Sequence, residues 1–139
     1  MEAKVTWKGR MSFEGGAGTG FKVPLGAEPA VGGDNDGFRP MELLLVGLAG
    51  CTAMDVISIL RKRREDITAF EVSVKGDRAE DHPRVFTHIQ IEYSITGRQV
   101  SENAVQQAID LSKTKYCPAQ AMFSQVAPIE IIYSIHQVD

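Results

Sequence analysis

The sequence predicts an α+β fold. Period-2 alternation of apolar and polar side chains marks strands at both ends and in the middle of the chain. One uninterrupted helical run extends from Pro40 to Lys62. Strands and helices are segregated along the chain instead of alternating strictly, which favours α+β over a doubly wound sheet. The expected order is β-β(β)-α-β-β-α-α-β. With 139 residues and no repeat, linker or composition break, a single domain over 1–139 is expected.

Residues 2–8 read as a first strand. Residues 9–38 are rich in glycine and carry Asp34-Asn35-Asp36, residues that accept turn geometry or cap backbone donors. One or two short hairpins, around Met11–Phe13 and Gly20–Leu25, fit that stretch. Pro40 suits a first helical turn, where its missing N–H costs nothing. Between Met41 and Lys62 no further proline occurs, and apolar residues occupy nearly every face, from Leu43-Leu44-Leu45-Val46 to Val56-Ile57 and Ile59-Leu60. A helix apolar all round must be buried all round. Either a sheet wraps it or a second subunit covers it, and an obligate dimer is the expectation.

Phe70, Val72 and Val74 alternate with polar residues, as do Ile89, Ile91, Tyr93 and Ile95. With a turn over Asp77–Pro83, these read as a hairpin. Ser101 is an expected N-cap for a second helix that points Val105, Ala108, Ile109 and Ser112 inward. That helix stops before Pro118, because proline disfavours helical geometry at Cys117. A short helix over Ala119–Gln125 and a last strand with Ile129, Ile131, Tyr133 and Ile135 on one face complete the chain.

A net charge of -3 gives no basis for binding a phosphate backbone, and no nucleic-acid partner is expected. The basic run Arg61-Lys62-Arg63-Arg64 reads as a solvated helix end favoured by the helix dipole. The chain opens Met1-Glu2-Ala3-Lys4 without an apolar run, and Leu43–Met54 is short and glycine-rich for a membrane span. The expectation is a cytoplasmic protein without membrane partner. In a reducing compartment, Cys51 and Cys117 then read as reactive, metal-binding or simply buried thiols.

Cys51 lies mid-helix in Gly47-Leu48-Ala49-Gly50-Cys51-Thr52-Ala53, among small residues that allow close approach. Cys117 precedes Pro118 at a helix junction, where the N-terminus of the next helix favours a thiolate. An unassisted thiol is only a few per cent ionised at pH 7, so a reactive one needs a cation, a helix terminus or a donor nearby. A lone cysteine is more often inert packing. Metal binding would draw on Cys51, Cys117, His82, His88 and His136, but none has CxxC, HxxxH or HExxH spacing, and no metal is expected. No GxSxG marks a serine nucleophile. The run Gly15-Gly16-Ala17-Gly18-Thr19-Gly20 lacks the strand and helix that a nucleotide loop requires.

The run Arg39-Pro40-Met41-Glu42-Leu43-Leu44 leading to Leu48-Ala49-Gly50-Cys51-Thr52 resembles the central-helix motif of the OsmC/Ohr family. Tyr116-Cys117-Pro118-Ala119-Gln120-Ala121-Met122 resembles that family's second cysteine motif, and the wording around both cysteines is nearest to the YhfA-like branch. The resemblance implies an OsmC-like intertwined homodimer, with antiparallel sheets wrapped around long buried central helices. It implies reduction of organic hydroperoxides without cofactor or metal, Cys51 attacking the peroxide and Cys117 resolving the sulfenic acid to a disulfide that a dithiol reductant reopens. It also implies an apolar pocket at the dimer interface.

Family peroxidases activate the first thiol with an Arg–Glu pair, the Glu directly following a Pro. Here Met41 follows Pro40, and Glu42 stands one residue later, a rotation of about 100° on a helix. Glu42 then serves either as the activating acid or as a helix N-terminal acid favoured by the dipole. Arg10 is the positional match to the family's N-terminal arginine, while Arg39 is nearer the helix start. The departure at Met41 keeps a second reading in view: a redox-sensing or small apolar-ligand-binding protein on the same scaffold.

Overall fold

The computed structural model describes all residues from Met1 to Asp139. Two compact units follow one another along the chain, Met1–Leu44 and Leu45–Asp139. The N-terminal unit is a three-stranded antiparallel meander: β1 (Ala3–Gly9), β2 (Ser12–Ala17) and β3 (Lys22–Leu25). The β1–β2 turn passes through Gly9 and Arg10, both at positive φ. After β3 the chain makes a 3-10 turn at Pro29–Val31 that ends on Gly32 in the left-handed region. A Cβ on Gly33 would run into the Ala27 carbonyl, so only glycine closes this loop. The one or two hairpins expected here are part of one continuous meander.

Helix α1 (Pro40–Lys62) opens on the expected proline. Its buried residues are Leu48, Thr52, Val56 and Leu60, one per turn along a single stripe. Leu44, Val46 and Met54 are exposed, Met54 at 74%. In the single chain, one face of α1 is packed and another apolar face is open. At 23 residues, with mean hydropathy 2.1 over an 18-residue window, α1 is long and apolar enough to cross a membrane by length and composition. The shortness noted for Leu43–Met54 does not extend to the helix as a whole.

The second unit holds a three-stranded sheet in the order β4 (Asp66–Arg78), β5 (Phe86–Arg98), β6 (Ile129–Gln137). β4 and β5 form the expected antiparallel hairpin, with Val72 opposite Tyr93. β6 pairs parallel to β5, Ile89 opposite Ile129. The all-antiparallel expectation is corrected here. A parallel pair needs a long crossover, and the helical segment between the two strands supplies it. That crossover is α2 (Glu102–Leu111), a π-helical turn (Ser112–Tyr116) and α3 (Pro118–Phe123).

Central strand β5 is the core of this unit. Ile89, Ile91, Tyr93 and Ile95 are fully buried, every second residue as the alternation requires. Val105, Ala108 and Ile109 of α2 are buried, on the face expected. Ser101 caps α2, its side chain accepting from the Ala104 N–H at 3.2 Å, an arrangement that contributes about 1 kcal/mol. The helix geometry widens before Pro118: the Cys117 N–H donates five residues back to the Ser112 carbonyl at 2.9 Å, and Cys117 itself is extended (φ -83°, ψ 104°). α3 starts on Pro118 and ends at Phe123, slightly before the expected range.

Candidate thiol site

Cys117 is the N-cap of α3. Its Sγ accepts the Gln120 backbone N–H at 3.3 Å. This is the helix-terminus arrangement anticipated for stabilising a thiolate, but burial outweighs it. Cys117 is only 3% exposed. Desolvation, the largest influence, pushes its thiol up from 9.0 to about 11. The backbone N–H groups of Gln120 and Ala119 oppose that rise, while the neighbouring Cys51 thiol adds to it. Both cysteines are free, and Cys51 is half-buried on α1. The structure therefore brings the two thiols together from separate elements, α1 and the crossover.

The raised thiol fixes a pH dependence. The unfolded chain loses the Cys117 proton above about pH 9, and the folded chain only near 11. Between those values the unfolded state binds fewer protons, so stability falls as pH rises. Below pH 9 the contribution is fully present. Tyr93 acts in the same direction, its phenol raised above 10.0 chiefly by burial. Urea midpoints are expected to drop from pH 8.5 to 10.5 in the wild type and to drop less in Cys117→Ala. Parallel curves for the two proteins would contradict the assignment.

Behind the thiols lies a buried polar chain that the sequence did not announce. Thr52 Oγ1 stands 2.7 Å from Tyr93 OH and 2.7 Å from Ser112 Oγ. Ser112 Oγ donates to Asp55 Oδ2 at 2.9 Å, and Gln120 Nε2 donates to Thr52 Oγ1 at 3.1 Å. Proton counting fixes the directions. Ser112 gives its only hydroxyl proton to Asp55, so Thr52 must donate to Ser112. Thr52 then can only accept from Tyr93 and Gln120. The chain runs Tyr93 to Thr52 to Ser112 to Asp55, and it ties together α1, β5 and both ends of the crossover's second half. One hint existed in the sequence: Asp55 is the only acid between Leu43 and Leu60, and Ser112 continues the spacing of α2's apolar face one residue past its end.

Arg10, Arg39 and Glu42 belong to the N-terminal unit or to the start of α1, and they have other partners there. Arg10 donates to Asp34 at 3.1 Å and to the Gly32 carbonyl at 3.0 Å. Glu42 accepts the Arg39 backbone N–H at 2.8 Å, which is helix capping. Arg39 reaches the Gly37 carbonyl and the Asn35 side chain. No Arg10–Glu42 or Arg39–Glu42 side-chain ion pair is formed. His88 stands 3.5 Å from Glu130 and 3.8 Å from Asp77 on the open face of the sheet, and His136 contacts Ser134. No group of three or more His, Cys, Asp or Glu side chains is placed to hold a metal ion.

Comparison with known proteins places this architecture. Protein YhfA of Escherichia coli K12 is 36% identical over 138 residues, covering 97% of this chain and 98% of that protein. The crystal structure of a hypothetical protein from Aquifex aeolicus VF5 superposes with a TM-score of 0.86 at 30% identity, covering 99% of this chain and 97% of the other. The organic hydroperoxide resistance protein OhrB of Bacillus subtilis shares the fold with a TM-score of 0.61 at 17% identity, covering 96% and 98%. Residues 33–132 match the OsmC family, described as OsmC-like protein, and thus take in both cysteines. With its α+β sheets, its long apolar helix and both cysteine motifs inside that match, the chain belongs to the OsmC family.

Proposed function

We propose that this protein reduces organic hydroperoxides by a two-thiol mechanism, with Cys51 as attacking and Cys117 as resolving residue. The observation that carries the reading is the meeting of the two free thiols from separate elements, one half-exposed and one buried. The half-exposed Cys51 can be reached by a peroxide, and the buried Cys117 cannot compete for it. The Cys51 sulfur attacks one peroxide oxygen, the O–O bond breaks, and the alcohol leaves with the proton of the Cys51 thiol. The resulting sulfenic acid condenses with the Cys117 thiol, an S–S bond forms, and water departs. A dithiol reductant then returns both thiols. No cofactor enters this cycle.

In this reading Arg10 and Glu42 supply the activating pair, which requires Arg10 to exchange Asp34, and Glu42 to exchange the Arg39 amide, for new partners. The working form is a cytoplasmic homodimer. The open apolar face of α1, with Leu44, Val46 and Met54, supports it, since a second copy would cover side chains that the single chain leaves in water. The present partners of Arg10 and Glu42, together with Met41 after Pro40, favour a second reading, a slow thiol in a redox-sensing or apolar-ligand-binding protein. Turnover of cumene, tert-butyl and fatty-acid hydroperoxides with a dithiol reductant separates them. Steady consumption, with loss of two hydrogens from the intact mass after one equivalent of peroxide, is expected. Unchanged thiols would reject the enzymatic reading.

A further inference from the structure

Gln120 touches both halves of the thiol site. Its backbone N–H holds Cys117 Sγ at 3.3 Å, and its Nε2 holds Thr52, the residue after Cys51, at 3.1 Å. The residue is 2% exposed, yet its Oε1 has no hydrogen-bond partner. It is the one buried side-chain nitrogen or oxygen in that state. Turning the carboxamide over does not remove the anomaly. Thr52 has spent its proton on Ser112 and Tyr93 its proton on Thr52, so an oxygen turned toward them would meet lone pairs instead of a free donor. The direction of the polar chain thus holds the amide nitrogen against Thr52 and leaves the carbonyl free. A buried acceptor kept without a donor is costly and calls for a partner present at another stage.

We propose that Gln120 is a positioning residue for the condensation of Cys117 with oxidised Cys51. Its main-chain N–H supports the charge that grows on Cys117 Sγ, and its free side-chain carbonyl accepts the hydroxyl hydrogen of the Cys51 sulfenic acid. This rests on the two-thiol reading. In the step itself, the Cys117–H and Cys51 S–O bonds break, and the S–S bond forms. The departing oxygen takes the Cys117 proton, keeps the hydrogen it already carried, which is only hydrogen-bonded to the Gln120 carbonyl, and leaves as water. Holding that hydrogen turns the oxygen's lone pairs toward the incoming thiol.

The test separates the two chemical steps. After one equivalent of cumene hydroperoxide, acid-quenched samples are read by intact mass for Cys51 oxidation and for the disulfide, with a 1,3-dione present to capture sulfenic acid. In Gln120→Met, disulfide formation is expected to slow at least tenfold, captured Cys51 to rise in step, and the first oxidation to change less than about twofold. Gln120→Asn, which keeps the amide but draws it back, is expected to show the same split and serves if the methionine variant does not fold. Disulfide formation at the wild-type rate in either folded variant overturns the inference, as does equal slowing of both steps. A wild type whose Cys51 takes up no oxygen overturns the two-thiol reading itself.

Discussion

Cys117→Ser is expected to halt the oxidised protein at Cys51. One equivalent of organic hydroperoxide should add a single oxygen to the intact mass, and excess peroxide should carry Cys51 on to the irreversible sulfinic acid, because nothing remains to resolve it. The serine hydroxyl is nearly isosteric but is no nucleophile toward a sulfenic acid at neutral pH. Dithiol-dependent turnover should fall on the order of a hundredfold or more, any residue coming from direct attack of the reductant on the sulfenic acid. Cys51→Ser should instead remain untouched by the same dose, since Cys117 is buried and its thiol is raised to about 11. The asymmetry is the informative result. If Cys117 oxidises readily in Cys51→Ser, the assignment of roles is reversed.

Thr52→Val is expected to cost about 3 kcal/mol of stability. Valine fills the same space, so no cavity arises, but the polar chain loses its centre. Tyr93 OH is left in the core with no acceptor, and Ser112 loses its incoming donor. Gln120 Nε2 keeps only the longer contact to Tyr93 OH at 3.4 Å. A buried donor stripped of its partner costs about 1–3 kcal/mol, and two further hydrogen bonds are lost or weakened around it. Thr52→Ser, which keeps the hydroxyl and removes only a methyl group, should cost about 1 kcal/mol. Urea unfolding of the three proteins decides the matter. A valine variant within about 0.5 kcal/mol of wild type would mean that the chain contributes little to the fold.

The sequence made some of this legible and hid the rest for identifiable reasons. The alternation through Ile89–Ile95, the proline at the start of α1 and the Ser101 cap are local rules, and each held in the structure. The direction of β6 is not local. The same apolar alternation serves a parallel or an antiparallel neighbour, and only the three-part helical crossover decides. All-round apolarity of α1 was visible, but which stripe the chain buries depends on side chains far away in sequence. The polar chain is hidden in the sequence for the same reason. Thr52 in an apolar helix reads as a tolerated hydroxyl, Tyr93 as a core aromatic and Ser112 as a helix terminus. Their partners lie 41 and 60 positions apart, a relation no periodicity encodes. In the sequence Gln120 is one residue of the second cysteine motif, and its free carbonyl emerges only from the donors that surround it in the fold.

The parallel pairing of β5 with β6 also sets when the thiols can first meet. β6 docks beside β5 only after the whole crossover from α2 to α3 has been laid down, closing a loop that pairs Ile89 with Ile129. Contacts of such sequence separation form late, because their loop-closure entropy must be met before they return any stabilisation. Cys117 rides on that crossover, whereas Cys51 lies on a helix that can form from local contacts. A growing chain therefore carries Cys51 without its partner until the crossover and β6 have been made. Oxidation during synthesis would meet a lone thiol, which makes the newborn polypeptide more vulnerable to irreversible damage than the finished protein.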